Sequence, residues 1–108
     1  MNKATGLLLI YTTHKNQKEA EVLAEKLLRE KLIVCANIFP AGKSIYMWNG
    51  GINIDDEVIA IIKTLPEKLT DLQTQYLELH PYDTPCFVVI ESSKTSAAYL
   101  EWANSTVD

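Results

Sequence analysis

The chain has 108 residues, 47% of them hydrophobic, and a formal net charge of −4. Its length fits one domain, and its apolar content excludes a disordered chain. A mildly acidic chain without a run of lysine or arginine is a poor candidate for binding nucleic acid or an anionic membrane. No apolar segment predicts a membrane span and no signal-peptide pattern is present, so we expect a soluble, cytoplasmic protein.

The first third of the chain predicts a strand, a helix and a second strand. Residues 7–13 form an apolar run that is typical of a central strand. Apolar residues then recur at helical spacing, at Ala20, Leu23, Ala24, Leu27 and Leu28. Residues 32–39 are rich in β-forming side chains, and Pro40 indicates a sheet edge or a bulge.

The centre of the chain predicts a long hairpin. Asn49-Gly50 is the strongest short hairpin signal, and it separates residues 32–48 from residues 52–64. Both predicted strands are well above the usual length of about 5–6 residues. Such a hairpin extends past the core of a single small domain, so we expect part of it to pack against another subunit.

Alternation along this hairpin sorts its side chains between two faces. Tyr46 and Trp48 share one face, and Ile45 and Met47 share the other. We expect these residues to pack against another element. Stacking of a nucleotide on the aromatic pair is the less favoured alternative, because no basic residues surround it.

The second half predicts a helix, a strand and a final short helix. Pro66 opens a helix that ends by Leu79 or His80, because Pro81 disfavours helical backbone in the residue before it. Residues 86–90 predict a buried strand and residues 97–103 a last helix. The order predicts an α+β, ferredoxin-like βαββαβ domain with a long central hairpin and an extra C-terminal helix. Both crossover helices should cover one sheet face and leave the other bare.

The residues offer little that predicts an enzyme. No nucleophile–base pair, phosphate-binding loop or zinc-protease motif is present, so we expect no catalytic activity. Cys35 and Cys86 are not spaced as a zinc pair, and we interpret both as reduced core thiols. The acidic run of residues 55–57 is interpreted as a solvated strand edge rather than a cation site, because alternation sends Asp56 away from its neighbours.

Several segments together resemble the CutA family, the divalent-cation tolerance proteins. The matching features, in order, are Tyr46-x-Trp48-x-Gly50 in the hairpin, Lys63-Thr64 at a strand end, and His80-Pro81-Tyr82-Asp83-Thr84-Pro85 in a loop. The resemblance covers about Leu7 to Trp102. It implies a ferredoxin-like subunit in a tight homotrimer, whose long hairpins extend sheets between neighbours as in PII-like signalling proteins, and a link to divalent metals, copper above all.

The chain also departs from the resemblance in its metal ligands. Some bacterial members have a cysteine on the first strand, where this chain has Thr12, and adjacent histidines before Pro-Tyr, where it has Leu79-His80. A glutamate is common at the position of Cys86. We therefore predict that His80 and Cys86 are the copper ligands, because a thiolate and an imidazole suit that metal.

A small-molecule sensor is the alternative to metal binding. A cleft between subunits would then take a small anionic ligand, with candidate residues Trp48, Glu57, Lys63, Tyr82 and Glu91. Lys63 is open to two interpretations: a snorkelling residue at a strand end, or a cleft charge that meets Glu57 or Glu91. A structural, partner-docking trimer is the third interpretation.

Overall fold

The computed structural model describes residues 6–108. Its elements are β1 (Leu8–His14), α1 (Gln17–Arg29), β2 (Cys35–Trp48), β3 (Gly51–Thr64), a 3-10 turn (Pro66–Lys68), α2 (Leu69–Leu79), β4 (Val88–Glu91) and α3 (Ala97–Thr106). The strands form one antiparallel sheet in the order β2-β3-β1-β4. The ferredoxin-like prediction, with its extra C-terminal helix, is confirmed. In residues 6–108, no helix is long and apolar enough to cross a membrane.

Local chemistry sets the ends of the helices. Asn16 caps α1, because its side-chain oxygen accepts a hydrogen bond of 2.8 Å from the backbone N–H of Glu19. Pro66 starts the 3-10 turn that leads into α2. The helix ends at Leu79, because His80 precedes a proline and takes extended backbone.

The main core lies between the sheet and the α1–α2 layer. Its buried members from the sheet include Leu8 and Ile10 of β1 and Ile62 of β3. The helices contribute Leu23, Leu27, Leu72 and Tyr76. Leu27, Leu72 and Tyr76 are completely buried, so the two helices and the sheet exclude solvent from this layer.

The opposite face of the sheet is only partly bare. A second buried cluster, formed by Leu7, Val34, Leu65, Ala103 and Val107, joins α3 to one end of the sheet. The prediction of a wholly uncovered face is therefore wrong at this end. It failed because α3 was treated as an appendage, whereas its apolar residues cover the strand ends.

The hairpin reaches away from this core. Asn49 and Gly50 have φ values of 50° and 79°, which are those of the tight turn favoured between twisted strands. The β2–β3 register shifts between Phe39 and Gly42, so the predicted bulge near Pro40 is present. A side chain at Gly42 would come within 2.7 Å of the carbonyl oxygen of Glu57, which is why glycine stands there.

Candidate functional site

A groove lies where the hairpin leaves the sheet and meets the loop between α2 and β4. Its volume is about 650 Å³, within the range of small-ligand sites. We call it the acidic groove, and the residues that define it are Tyr46, Trp48, Glu57, Tyr82, Asp83 and Cys86. Three of the five cleft residues predicted from the sequence, Trp48, Glu57 and Tyr82, therefore line one surface.

Two tyrosines in this groove donate hydrogen bonds to carboxylates. The Tyr82 hydroxyl donates to Glu57 at 3.0 Å, and the Tyr46 hydroxyl donates to Asp55. Burial and the bonded Glu57 carboxylate raise the pKa of Tyr82. The hydrogen bond to Asp55 raises the pKa of Tyr46. Both phenols are therefore held as neutral donors, and the negative charge stays on the carboxylates.

The acidic run divides between the two faces, as alternation predicts. Asp56 forms an ion pair of 2.6 Å with Lys43, and this contact lowers the pKa of the Asp56 carboxyl. Asp55 and Glu57 instead bind the groove tyrosines. Lys15 lies beside these carboxylates in an adjoining cavity. The carboxylates of the groove favour a cation over the small anion of the sensor hypothesis.

Lys63 and Glu91, the other two predicted cleft residues, lie elsewhere. Lys63 shares the face of Glu57 but is six residues further along β3, roughly 20 Å away. Its ammonium group contacts the Tyr99 hydroxyl at 3.4 Å instead. Glu91 pairs with Leu8, whose side chain faces the helices, so it lies on the opposite sheet face from Lys63. Within one subunit these five residues therefore lie on separate surfaces, and the cleft between subunits stays a prediction.

His80 is buried, and hydrogen bonds occupy both nitrogens of its ring. Nε2 lies 2.9 Å from the carbonyl oxygen of Thr13, and Nδ1 accepts from the Tyr82 N–H at 3.2 Å. This pattern requires a neutral ring with its proton on Nε2. Neither nitrogen is left free for a metal in this arrangement.

Cys86 is partly exposed, and its thiol points at the carbonyl oxygen of Tyr11, 3.7 Å away. Its own carbonyl accepts from the buried Tyr76 hydroxyl at 2.8 Å. These contacts replace the strand predicted over residues 86–90, which begins only at Val88. His80 and Cys86 thus bind carbonyls two residues apart on β1, about 7 Å along the strand. They contact the C-terminal half of β1, and their role as copper ligands stays a prediction.

Cys35 is also a free, partly exposed thiol, so the interpretation of both cysteines as core residues is wrong. It lies opposite Lys63 on the sheet, and its sulfur is 3.8 Å from the Tyr99 hydroxyl. Among residues 6–108, α3 is the helix that covers this face, and it leaves Cys35 partly exposed, so the β-rich pattern around Cys35 overestimated its burial.

His14 was not singled out from the sequence, although it is a buried histidine beside this site. Its Nε2 lies 2.9 Å from the Thr12 hydroxyl, and its ring lies 5.0 Å from that of His80. Burial, followed by the proximity of His80, lowers the pKa of His14 to about 4. The sequence could have predicted this burial from alternation along β1, because His14 shares a face with Leu8 and Ile10.

Comparison with known proteins identifies the family. Residues 8–106 match the family model described as CutA1 divalent ion tolerance protein. The chain belongs to this family. The divalent-cation tolerance protein CutA of Archaeoglobus fulgidus is 37% identical over 99 residues, which are 92% of this chain and 96% of that protein.

A plant relative and a crystal structure agree with the CutA1 assignment. The chloroplastic protein CutA of Arabidopsis thaliana is 35% identical over 97% of this chain and 58% of its own length. The crystal structure of the divalent ion tolerance protein CutA1 from Ehrlichia chaffeensis has a TM-score of 0.92 at 31% identity, covering 96% of this chain and 97% of that one. The resemblance found in the sequence is confirmed, and the family is named for divalent-ion tolerance rather than for a catalysed reaction.

Proposed function

We propose that this CutA1 protein acts without catalysis, as a homotrimer that binds divalent cations, copper first among them. The observation that carries the assembly is a stripe of apolar side chains on the hairpin face that continues the helix side of the sheet. Its members are Ile45, Met47, Ile52 and Ile54, which are 69%, 65%, 71% and 61% exposed. A contiguous apolar patch of this kind marks an interaction surface.

The free edge of β2 supports the same proposal. This strand has 14 residues and lies at the edge of the sheet, so it presents unpaired backbone groups to a neighbour. A second copy can add its own edge strand there while covering the apolar stripe. At about 25 cal/mol per Å² of apolar surface buried, covering such a stripe favours association.

The cation part of the proposal rests on the acidic groove. Carboxylate oxygens bind divalent cations, and a given oxygen or nitrogen site generally binds copper(II) most strongly among the divalent first-row metals. Glu57, Asp55 and Asp83 lie at or beside the groove. In the described part of the chain, no group of three or more histidine, cysteine, aspartate or glutamate side chains is placed to hold a metal. A neighbouring subunit must therefore complete the coordination, which ties cation binding to assembly.

Light scattering tests the assembly. Wild type should have three times the subunit mass at micromolar concentration, and Ile54→Lys should shift it towards the subunit mass. Glu67→Lys is the matched control, because this exposed residue lies outside the hairpin. A monomeric wild type would overturn the proposal.

Calorimetric titration with copper(II) tests the site. Glu57→Gln should weaken binding, whereas His80→Ala, checked for folding by circular dichroism, should leave the affinity unchanged. The opposite result would place copper at His80 and Cys86, as the sequence predicts, and would remove it from the groove. The cytoplasmic location stays a prediction.

A further inference from the structure

A second cavity, separate from the acidic groove, lies on the helix side of the sheet. It has a volume of about 480 Å³ and opens between the first half of α1 and residues 79–81. Val22, Leu23, Leu79 and Pro81 give it an apolar wall. Its size and lining are those of a site for a small organic molecule. The apolar stripe proposed for assembly does not contribute to it.

Glu19, which contributes to the wall of this cavity, has one buried atom without a hydrogen-bond partner. The Oε2 atom of Glu19 is buried and has no hydrogen-bond partner in residues 6–108. A buried carboxylate oxygen without a partner is costly, and such atoms in native proteins call for an explanation. Because the Glu19 side chain lines the cavity, a ligand there can bring a charged donor to its carboxylate.

Positive groups line the same cavity without neutralising Glu19. Lys15, Lys18 and Lys26 all contribute to its wall. The ion pairs within the described residues are Arg29–Glu25 and Lys43–Asp56, so none of these three lysines is paired with a carboxylate. The cavity therefore presents a carboxylate that needs a cation and ammonium groups that can accept an anion.

We propose that this cavity binds a free amino acid with an apolar side chain. The ammonium group of the ligand meets Glu19, its carboxylate meets the lysines, and its side chain lies on the wall of Val22, Leu23 and Leu79. His14 and His80, 3% and 6% exposed, also line the cavity. A zwitterion fits both sets of unpaired charge, whereas a plain anion or a plain amine fits one.

A matched set of three probes tests the charge requirement on the assembled wild-type protein. Calorimetry compares leucine with 4-methylpentanoate, which lacks the ammonium group, and with 3-methylbutylamine, which lacks the carboxylate. Leucine should bind, and each analogue should bind at least about tenfold more weakly, since one charge-assisted contact is lost. Failure of leucine to bind at millimolar concentration, or equal binding of either analogue, would overturn the proposal.

Two variants on α1 locate the effect. Glu19→Gln should weaken leucine binding about tenfold while the protein keeps its fold, because a neutral amide replaces a carboxylate of the same shape. Glu21→Gln is the control, since this exposed residue does not line the cavity and should leave binding unchanged. Leucine binding that survives Glu19→Gln undiminished would contradict the assignment of the ammonium subsite, and with it the proposal.

Discussion

The two ends of β3 have the same kind of side chains but opposite surroundings. Ile62, in the body of the sheet, is 2% exposed and packs beneath α1 and α2. Ile54, eight residues earlier in the hairpin, is 61% exposed, although it occupies the same side of the strand. One strand thus contributes both to the buried core of the subunit and to an exposed apolar surface. The body accounts for the folding of the subunit, and the hairpin accounts for its association.

Truncating Ile62 and Ile54 to alanine tests this difference most directly. Ile62→Ala should lower the free energy of unfolding by about 2–5 kcal/mol, because it leaves a cavity in a packed core. The measurement is equilibrium denaturation at fixed protein concentration. Ile54→Ala should leave the circular dichroism spectrum intact and instead increase dissociation on dilution. Equal losses of folding stability at both positions would show that the hairpin is part of the subunit core.

Lowering the pH tests the body of the subunit through His14. Its folded pKa of about 4 lies below the ordinary value of 6.5, so the folded state favours the neutral ring. This contribution is complete above pH 6.5 and is lost as the pH falls from 6.5 towards 4. The loss should reach at most about 3 kcal/mol.

A variant without a titrating ring separates His14 from the carboxylates that also titrate in acid. His14→Gln can still hydrogen-bond Thr12 but carries no charge at any pH. Denaturation at several pH values should show wild type losing stability relative to His14→Gln between pH 6.5 and 4. A constant difference between the two proteins would mean that His14 is not held neutral by its surroundings.

The sequence predicted those features whose causes are local. Asn49-Gly50 specifies its turn through backbone conformation, and alternation alone separates Tyr46 from Met47. Even the bulge was indicated, because Pro40 cannot donate to a strand partner. These features need no knowledge of distant parts of the chain, so spacing and residue type were enough to predict them.

The contacts of the other predicted site residues depend on non-local pairing. His80 and Cys86 are six positions apart in sequence, yet their partners are carbonyls of β1, more than sixty residues earlier. Lys63 and Glu91 were assigned to one cleft, but the pairing of β1 with both neighbours puts them on opposite faces. A sequence pattern predicts which side chains share a face of one strand. The register between strands determines which residues of different strands lie on the same face of the sheet.

A third test compares Tyr82, in the loop between α2 and β4, with Tyr46 in the hairpin. Tyr82→Phe removes a hydrogen bond to Glu57 and should cost about 1 kcal/mol of folding stability, a reduced value because Tyr82 is partly open to solvent. Tyr46→Phe removes the bond to Asp55 in the exposed hairpin and should leave the denaturation midpoint unchanged. A larger loss for Tyr46→Phe would indicate that the hairpin contributes to folding directly.

The smallest expected effect concerns the backbone of the hairpin. Ala41 has a φ of 63° in the bulge, where its methyl group crowds the chain at a cost of about 1 kcal/mol. Ala41→Gly relieves this crowding, but glycine gains freedom in the unfolded chain that offsets part of the benefit. The net result should be a stabilisation of about 0.5 kcal/mol in equilibrium denaturation, since the two terms oppose each other.

The matched control for that substitution is Ala36→Gly, in the regular part of the same strand. Ala36 pairs with Ile62 and has no left-handed backbone, so glycine there brings an entropic cost of roughly 0.5–1 kcal/mol. It also removes a methyl group packed against the core, and both effects should destabilise the protein. Opposite signs at the two positions would show that the bulge is strained in solution. The bulge is the point at which β2 leaves the core. Interactions made by the hairpin beyond the bulge must therefore offset its strain. If Ala41→Gly lost as much stability as Ala36→Gly, the backbone at Ala41 would not be strained.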